Sequence, residues 1–183
     1  MNYEHLHEQA LAILTGMNPT DASAGRYADA ASHVIAGQDP EHRRAANWVR
    51  TLHAYEAFWE GSGRTPRENT RARHTLHADE RHLGEWARYQ RRFEDHLNAY
   101  QRARLEVSPA FTWDLRRANW ERNLIACHAH RQRTGELPRL IERDADEFAL
   151  ARWLGRQLRR LQLGQLEPSQ AQQLGELLRP WKF

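Results

Sequence analysis

The chain has 183 residues, with 27 Lys and Arg against 24 Asp and Glu and a formal net charge of +3 at pH 7. No apolar run approaches the roughly 18 residues that a transmembrane helix needs, and the start lacks the basic and apolar segments of a secretory signal. The single cysteine, Cys127, excludes a disulfide framework. We therefore expect a cytoplasmic protein that does not associate with membranes.

Residues 1–47 are predicted to be helical and to stand apart from the rest of the chain. Two helices are indicated, at about 3–15 and 21–36, and the segment Gly16-Met17-Asn18-Pro19 separates them. The second helix is rich in alanine, which permits close helix packing. This region, with a net charge of −3, is interpreted either as a cap on the helices that follow or as a dimerisation arm.

The remaining residues carry an internal repeat of about 70 residues that is marked by tryptophan. Six of the seven tryptophans form two sets with similar spacing: Trp48, Trp86 and Trp113, then Trp120, Trp153 and Trp181. Further positions keep the same register: Gly63-x2-Pro66 matches Gly135-x2-Pro138, and Leu83-x2-Trp86-x3-Gln90 matches Leu150-x2-Trp153-x3-Gln157. We predict two tandem modules, residues 48–113 and 114–183, with net charges of +2 and +4.

Each module is predicted to contain three helices, with the repeat tryptophans in its core. A helix at about 78–95 in the first module corresponds to one at about 145–162 in the second, which opens with the capping-box pattern Asp144-x2-Glu147. The helix at 78–95 is expected to bury Leu83, Trp86 and Phe93. A shorter third helix follows in each module, and no stretch alternates with the period of a strand. The predicted fold is all-α, an N-terminal helical cap plus two tandem three-helix modules.

The sequence lacks the motifs of the common catalytic and metal sites. A P-loop needs a lysine after its glycines, and the only lysine, Lys182, has no such context. No serine lies in a Gly-x-Ser-x-Gly elbow. Histidines cluster at 74–82 and beside Cys127, but Cys127 falls on the buried stripe of its predicted helix, where a neutral thiol is expected. We predict a non-enzymatic protein without catalytic residues, cofactor or metal site.

Arginine is the residue type that points to a ligand, because its planar fork donates two parallel hydrogen bonds to a phosphate. On the predicted helix at 145–162, Arg152, Arg156 and Arg159 fall at i, i+4 and i+7. The helix at 78–95 carries a weaker patch among acidic neighbours. The predicted nucleic-acid-binding residues are Arg152, Arg156, Arg159, Arg160, Arg88 and Arg92. The alternative interpretation is a solvated helix face without a ligand.

The two copies share a motif of a tryptophan, a Gly-x2-Pro turn, a Leu-x2-Trp-x3-Gln helix and a closing tryptophan. The second copy reads Trp120…Gly135-Glu-Leu-Pro138…Leu150-Ala-Arg-Trp153-Leu-Gly-Arg-Gln157…Leu174…Trp181. This pattern resembles the helicase-associated domain, a small all-helical module, usually in tandem copies, that is found behind bacterial helicases and in stand-alone proteins. The resemblance covers residues 48–183 and implies a three-helix unit with a nucleic-acid-binding role.

These features favour non-enzymatic DNA binding through the arginine-rich helix faces of the two modules. The alternative is a protein-interaction module that acts as an accessory or inhibitor of a nucleic-acid enzyme. One continuous basic stripe on the surface would favour DNA, whereas an exposed apolar patch would favour a protein partner.

Overall fold

The computed structural model describes residues 1–17, 21–32, 40–68, 73–141 and 143–179, and within these ranges all regular structure is helical. The prediction of an all-α protein is confirmed. The helices are α1 (Tyr3–Met17), α2 (Ala22–Ala31), α3 (Pro40–Ser62), α4 (Ala78–Arg92), α5 (Ala99–Glu106), α6 (Leu115–Thr134), α7 (Ala145–Gln162) and α8 (Pro168–Leu178). In the described ranges no helix is both long and apolar enough to cross a membrane. The chain divides into two compact units, residues 1–113 and 114–183.

The observed helix ends follow from local capping. The helix predicted at 78–95 ends at Arg92, because the chain then enters a short 3-10 turn that leads to Asn98, the N-cap of α5. Oδ1 of Asn98 accepts from the backbone N–H of Gln101 at 2.9 Å, and Oε1 of Gln101 accepts from that of Asn98 at 3.1 Å. The predicted extension of α2 through 33–36 lies outside the described residues, as does Trp181.

In the first unit, α1 packs on α5, and α2 packs on both α3 and α5. Small side chains permit this close approach, since Ala10 and Ala24 are buried in the contact region. The inner face of α3 contributes Trp48, Leu52 and Tyr55 to the same core. Burying large apolar side chains of this kind stabilises the fold by about 1.5–3 kcal/mol each.

In the second unit, α6 packs on α7 and α8. The core consists of Trp120, Leu124, Cys127, Trp153, Leu154, Leu174 and Leu177. Before α7, the carboxylate of Asp144 accepts from the backbone N–H of Glu147 at 2.9 Å, as an N-cap does. The reciprocal half of the predicted capping box is not formed, because the carboxylate of Glu147 accepts instead from the backbone N–H of Arg139 at 2.9 Å.

The turns that follow α3 and α6 have the same contacts. Oγ of Ser62 lies 2.7 Å from the carbonyl oxygen four residues before it and 3.0 Å from the carbonyl oxygen two residues after it. Oγ1 of Thr134 lies 2.9 and 3.1 Å from the carbonyl oxygens at the same two spacings. Gly63 and Gly135 follow with φ of 66° and 78°, the left-handed region that glycine adopts without penalty. The two helices therefore end in the same way at positions 72 residues apart.

The loop anchors and the tryptophan pairs also correspond. Glu80 accepts from the backbone N–H of Arg67 at 3.0 Å, as Glu147 does from that of Arg139.

The tryptophan pairs have the same spacing in both units. Ring centroids are 6.0 Å apart between Trp48 and Trp86 and also between Trp120 and Trp153. Of the repeat tryptophans in the described ranges, three are buried, namely Trp48, Trp120 and Trp153. The other two, Trp86 and Trp113, are only partly buried and pack against the core.

The two units differ in the helix face that α2 contacts on α3 and in the corresponding face of α6. On α3, against which α2 packs, Ala45 and Val49 are buried. The corresponding positions of α6 carry Arg117 and Glu121, which are exposed and form an ion pair at 2.9 Å. A charged pair loses hydration when it is covered, so this face of α6 is suited to remain in solvent rather than to receive a helix such as α2.

Candidate nucleic-acid interface

The four arginines predicted on α7 all face solvent. The inward side of this helix buries Trp153, Leu154 and Gln157. Arg152, Arg156, Arg159 and Arg160 are all exposed. The two sets are separated because apolar residues recur with the helical period and the arginines occupy the positions between them. We call these four side chains the α7 arginines.

The α7 arginines have few internal partners. The guanidinium of Arg152 lies 5.8 Å from the ring centroid of Phe148. Arg160 donates to the backbone carbonyl of Gln165 at 3.0 Å and to Oε1 of Gln157 at 3.5 Å. Among the residues that the structure describes, no carboxylate forms an ion pair with any α7 arginine. Their charge is therefore not neutralised locally and is available to an anionic ligand.

The arginines predicted in the first module are also exposed. Arg88 and Arg92 lie on the outer side of α4, and the guanidinium of Arg92 is 5.4 Å from the ring centroid of Phe93. Their neighbour Arg91 turns inward, where Nε donates to the carbonyl of Thr112 at 2.5 Å and Nη1 contacts Glu68 at 2.5 Å. The guanidinium of Arg91 is therefore occupied by contacts within the first unit and is not available to a ligand.

Corresponding helix faces of the two units carry different chemistry. At a constant offset of 67 residues, the α7 arginines take the positions of Glu85, Tyr89, Arg92 and Phe93 on α4. Tyr89 is 58 % exposed, and its ring centroid lies 4.5 Å from that of Phe93. Phe93, which was expected to be buried, is only partly buried and lies at the C-cap of α4. Periodicity along the helix does not single out Tyr89, and only its exposure beside Phe93 makes the two rings a candidate contact surface.

A cleft of about 510 Å³ in the second unit borders Arg160. Its wall includes three arginines and three acids, namely Arg116, Arg117, Arg160, Asp114, Glu121 and Glu167. These charges balance, so the cleft adds no net positive potential to the α7 arginines.

Cys127 lies in the core of the second unit, as predicted. It is buried, and burial raises the pKa of its thiol to about 11. The neutral thiol is therefore the state that persists at neutral pH, and it is a poor nucleophile and metal ligand. Within the described ranges, no three His, Cys, Asp or Glu side chains converge in a way that could hold a metal ion.

Comparisons of the chain with protein-family models, with curated proteins and with solved structures found no match. The resemblance to the helicase-associated domain therefore stays a prediction based on the repeat motif. The two copies within the chain can still be compared with each other, and their shared contacts identify equivalent positions.

Proposed function

We propose that this chain is a non-enzymatic DNA-binding protein whose main contact surface is formed by the α7 arginines. The observation that carries the proposal is the exposure of these four guanidinium groups on one helix without a paired carboxylate in the described part of the chain. A solvated helix face of a soluble protein usually mixes both signs of charge, as α6 does with Arg117 and Glu121.

We also propose that the N-terminal region predicted at 1–47 forms a helical cap and that the regions predicted at 48–113 and 114–183 are tandem three-helix modules of the helicase-associated type. Because α3 begins at Pro40, the boundary between the cap and the first module lies before residue 40 rather than at residue 48. The matched turns at Gly63 and Gly135, and the matched anchors at Glu80 and Glu147, support this organisation. If the modules are equivalent, α4 and α7 present corresponding faces, and Arg88 and Arg92 form a second, weaker contact surface on the first unit.

The spacing on α7 suits a phosphate backbone. Residues i, i+4 and i+7 rise by about 6 and 4.5 Å along a helix, and duplex DNA places one phosphate per about 3.4 Å of axis on each strand. Flexible arginine side chains can therefore reach successive phosphates. Each contact releases condensed counterion, so four engaged arginines predict a slope of log K against log salt of about −3.6.

The test is a salt titration of binding to duplex and single-stranded DNA between about 50 and 200 mM salt. Replacing Arg152, Arg156 and Arg159 by Ala should flatten the slope by about 2–3 units while helicity is retained. A control with Arg122, Arg133 and Arg139 replaced by Ala makes the same change in net charge on exposed positions outside α7. Equal flattening in the control would attribute binding to net charge and reject the α7 surface.

Single variants sharpen the same test. Arg156 makes no hydrogen bond or ion pair within the described residues, whereas Arg160 already donates to Gln165. We expect Arg156→Ala to lower the magnitude of the slope by about 1 and Arg160→Ala to lower it by less. A larger effect at Arg160 would move the contact surface toward the cleft that this residue borders.

The alternative function is a protein-interaction module that acts as an accessory or inhibitor of a nucleic-acid enzyme. It is favoured by Leu140 and Ile141, adjacent apolar side chains before α7 that are 66 % and 40 % exposed. The double substitution Leu140→Ser and Ile141→Ser should then abolish capture of a protein partner. Under the DNA-binding proposal the same variant keeps its full affinity for DNA.

A further inference from the structure

Aromatic residues make up half of the lining of a cavity of about 440 Å³ in the first unit. Its volume lies in the range of about 300–1,000 Å³ that small-molecule pockets occupy. The aromatic side chains on its wall are Tyr27, Trp48, Trp86, Tyr89, Phe93 and His96. Arg44 also lines it, and none of its described lining residues is acidic. The cavity therefore offers flat apolar faces, and no carboxylate is among its described lining residues.

The inner wall of this cavity is held by contacts within the unit, and the outer wall is open to solvent. The indole N–H of Trp48 donates to Oε1 of Gln90 at 2.9 Å, and the ring of Tyr27 lies edge-on to Trp48 with centroids 5.7 Å apart. On the solvent side, Tyr89 is 58 % exposed and stands beside Phe93. A planar ligand could contact the outer rings without unfolding the inner ones.

Positive charge lies directly beside the aromatic wall. A second, smaller groove of about 270 Å³ shares Tyr89 and Phe93 with the cavity, and Arg88 and Arg92 line it together with Glu85. Aromatic rings flanked by guanidinium groups combine two features of surfaces that bind single-stranded nucleic acids, which stack bases on aromatic side chains and hold the backbone by charge.

We infer that the aromatic cavity binds an unpaired base of a single-stranded nucleic acid while Arg88 and Arg92 contact the flanking phosphates. The inference rests on the proposed nucleic-acid-binding function and specifies the form of the nucleic acid. In a duplex the bases are already stacked on each other, so their faces cannot reach the rings. Each unit then makes its own kind of contact: α4 of the first unit stacks a base, and α7 of the second unit binds phosphates.

The experiment measures the affinity of the full-length chain for oligothymidine of about 12 nucleotides and for a duplex of the same length. Tyr89→Ala should weaken binding to the single strand about tenfold, and Tyr89→Phe should retain the affinity because it keeps the ring. Leu163→Ala is the matched control, because Leu163 is an apolar side chain that is also 58 % exposed. It should leave the single-strand affinity unchanged, and Tyr89→Ala should change duplex affinity by less than about twofold.

Two further measurements separate the ways in which the inference could fail. An oligonucleotide with abasic sites should bind as weakly to the wild type as oligothymidine binds to Tyr89→Ala. If the wild type binds DNA but Tyr89→Ala has no effect, or the abasic strand binds equally well, the stacking inference is wrong and the proposed function survives. If the wild type binds neither strand form at low salt, both are wrong, and a proline-rich peptide then becomes the ligand to test on the same rings.

Discussion

The indole N–H of Trp48 donates a 2.9 Å hydrogen bond to Oε1 of Gln90, whereas the counterpart of this bond, between Trp120 and Gln157, is not formed. Among the described residues, the buried indole N–H of Trp120 has no hydrogen-bond partner, and Oε1 of Gln157 accepts from Arg160 at 3.5 Å. The two tryptophans are buried to a similar extent, with 8 % and 5 % exposure, although Trp48 also lies edge-on to Tyr27 of α2. The main polar difference between the two indoles is one buried hydrogen bond.

We expect Trp48→Phe to lower the free energy of unfolding by about 1 kcal/mol more than Trp120→Phe does. Both substitutions remove the same part of an indole from a tryptophan core, so the loss of apolar burial largely cancels between them. Only Trp48→Phe leaves the oxygen of Gln90 without its donor. Urea unfolding followed by circular dichroism measures the difference, and equal costs would mean that the hydrogen bond contributes nothing.

Two helical glycines should respond to alanine with opposite sign. A Cβ at Gly84 would lie 2.4 Å from the backbone oxygen of Arg67, whereas a Cβ at Gly155 would meet nothing within 4 Å. Gly155→Ala should stabilise the protein by about 0.5–1 kcal/mol, because alanine loses less backbone entropy in a helix. Gly84→Ala should destabilise it by about 1–3 kcal/mol, because the loop that Glu80 holds must shift. Thermal unfolding of the two variants decides this, and stabilisation by both would contradict the close approach.

A fully buried ion pair joins α3 to α5. Nη1 and Nη2 of Arg104 each donate to one carboxylate oxygen of Glu56 at 2.8 Å, and Ser108 donates to the same carboxylate at 2.7 Å. Glu56→Ala or Arg104→Ala alone should cost about 3–5 kcal/mol, because each leaves a buried charge unpaired. Replacing Glu56 by Leu together with Arg104 by Met should cost much less than the sum of the two single losses. Additive losses in a double-mutant cycle would show that the charges are not coupled.

His7 should make the fold less stable in mild acid. Its Nδ1 lies 2.8 Å from the hydroxyl of Tyr100, and burial, then the nearby Arg104, lowers the pKa of His7 below its ordinary value. Below about pH 6.5 the unfolded chain takes up a proton at this residue that the folded chain does not, so stability falls as the pH is lowered. The loss of unfolding free energy between about pH 7.5 and 5.5 should be smaller in His7→Gln than in the wild type. An identical loss in both would assign the acid sensitivity to other histidines.

Structural features that depend on only a few neighbouring residues could be predicted from the sequence. Asp144 caps α7 where the pattern indicated, and Gly135 ends α6 with positive φ, because both depend on backbone groups within one turn. The exposure of the α7 arginines followed for the same reason, since helical periodicity assigns each residue to the inner or outer face once the apolar stripe is known. Phe93 was expected to be buried and is only partly buried; the sequence pattern placed the end of this helix at residue 95, three residues beyond its observed end at Arg92.

The candidate site shows the same division between local and tertiary information. The sequence by itself determined that the chain is helical, that Asp144 begins α7 and Gly135 ends α6, and that the α7 arginines face outward, because these properties depend on neighbours within a few residues. Only the tertiary structure decided that Glu56 meets Arg104, 48 residues away, and that Gly84 must accommodate the backbone at Arg67. It also decided that Tyr27 of α2 and Tyr89 of α4 line one cavity. The physical reason is that such contacts depend on which helices meet and at what distance, and these are set by the packing of the whole core rather than by the pattern of any one segment.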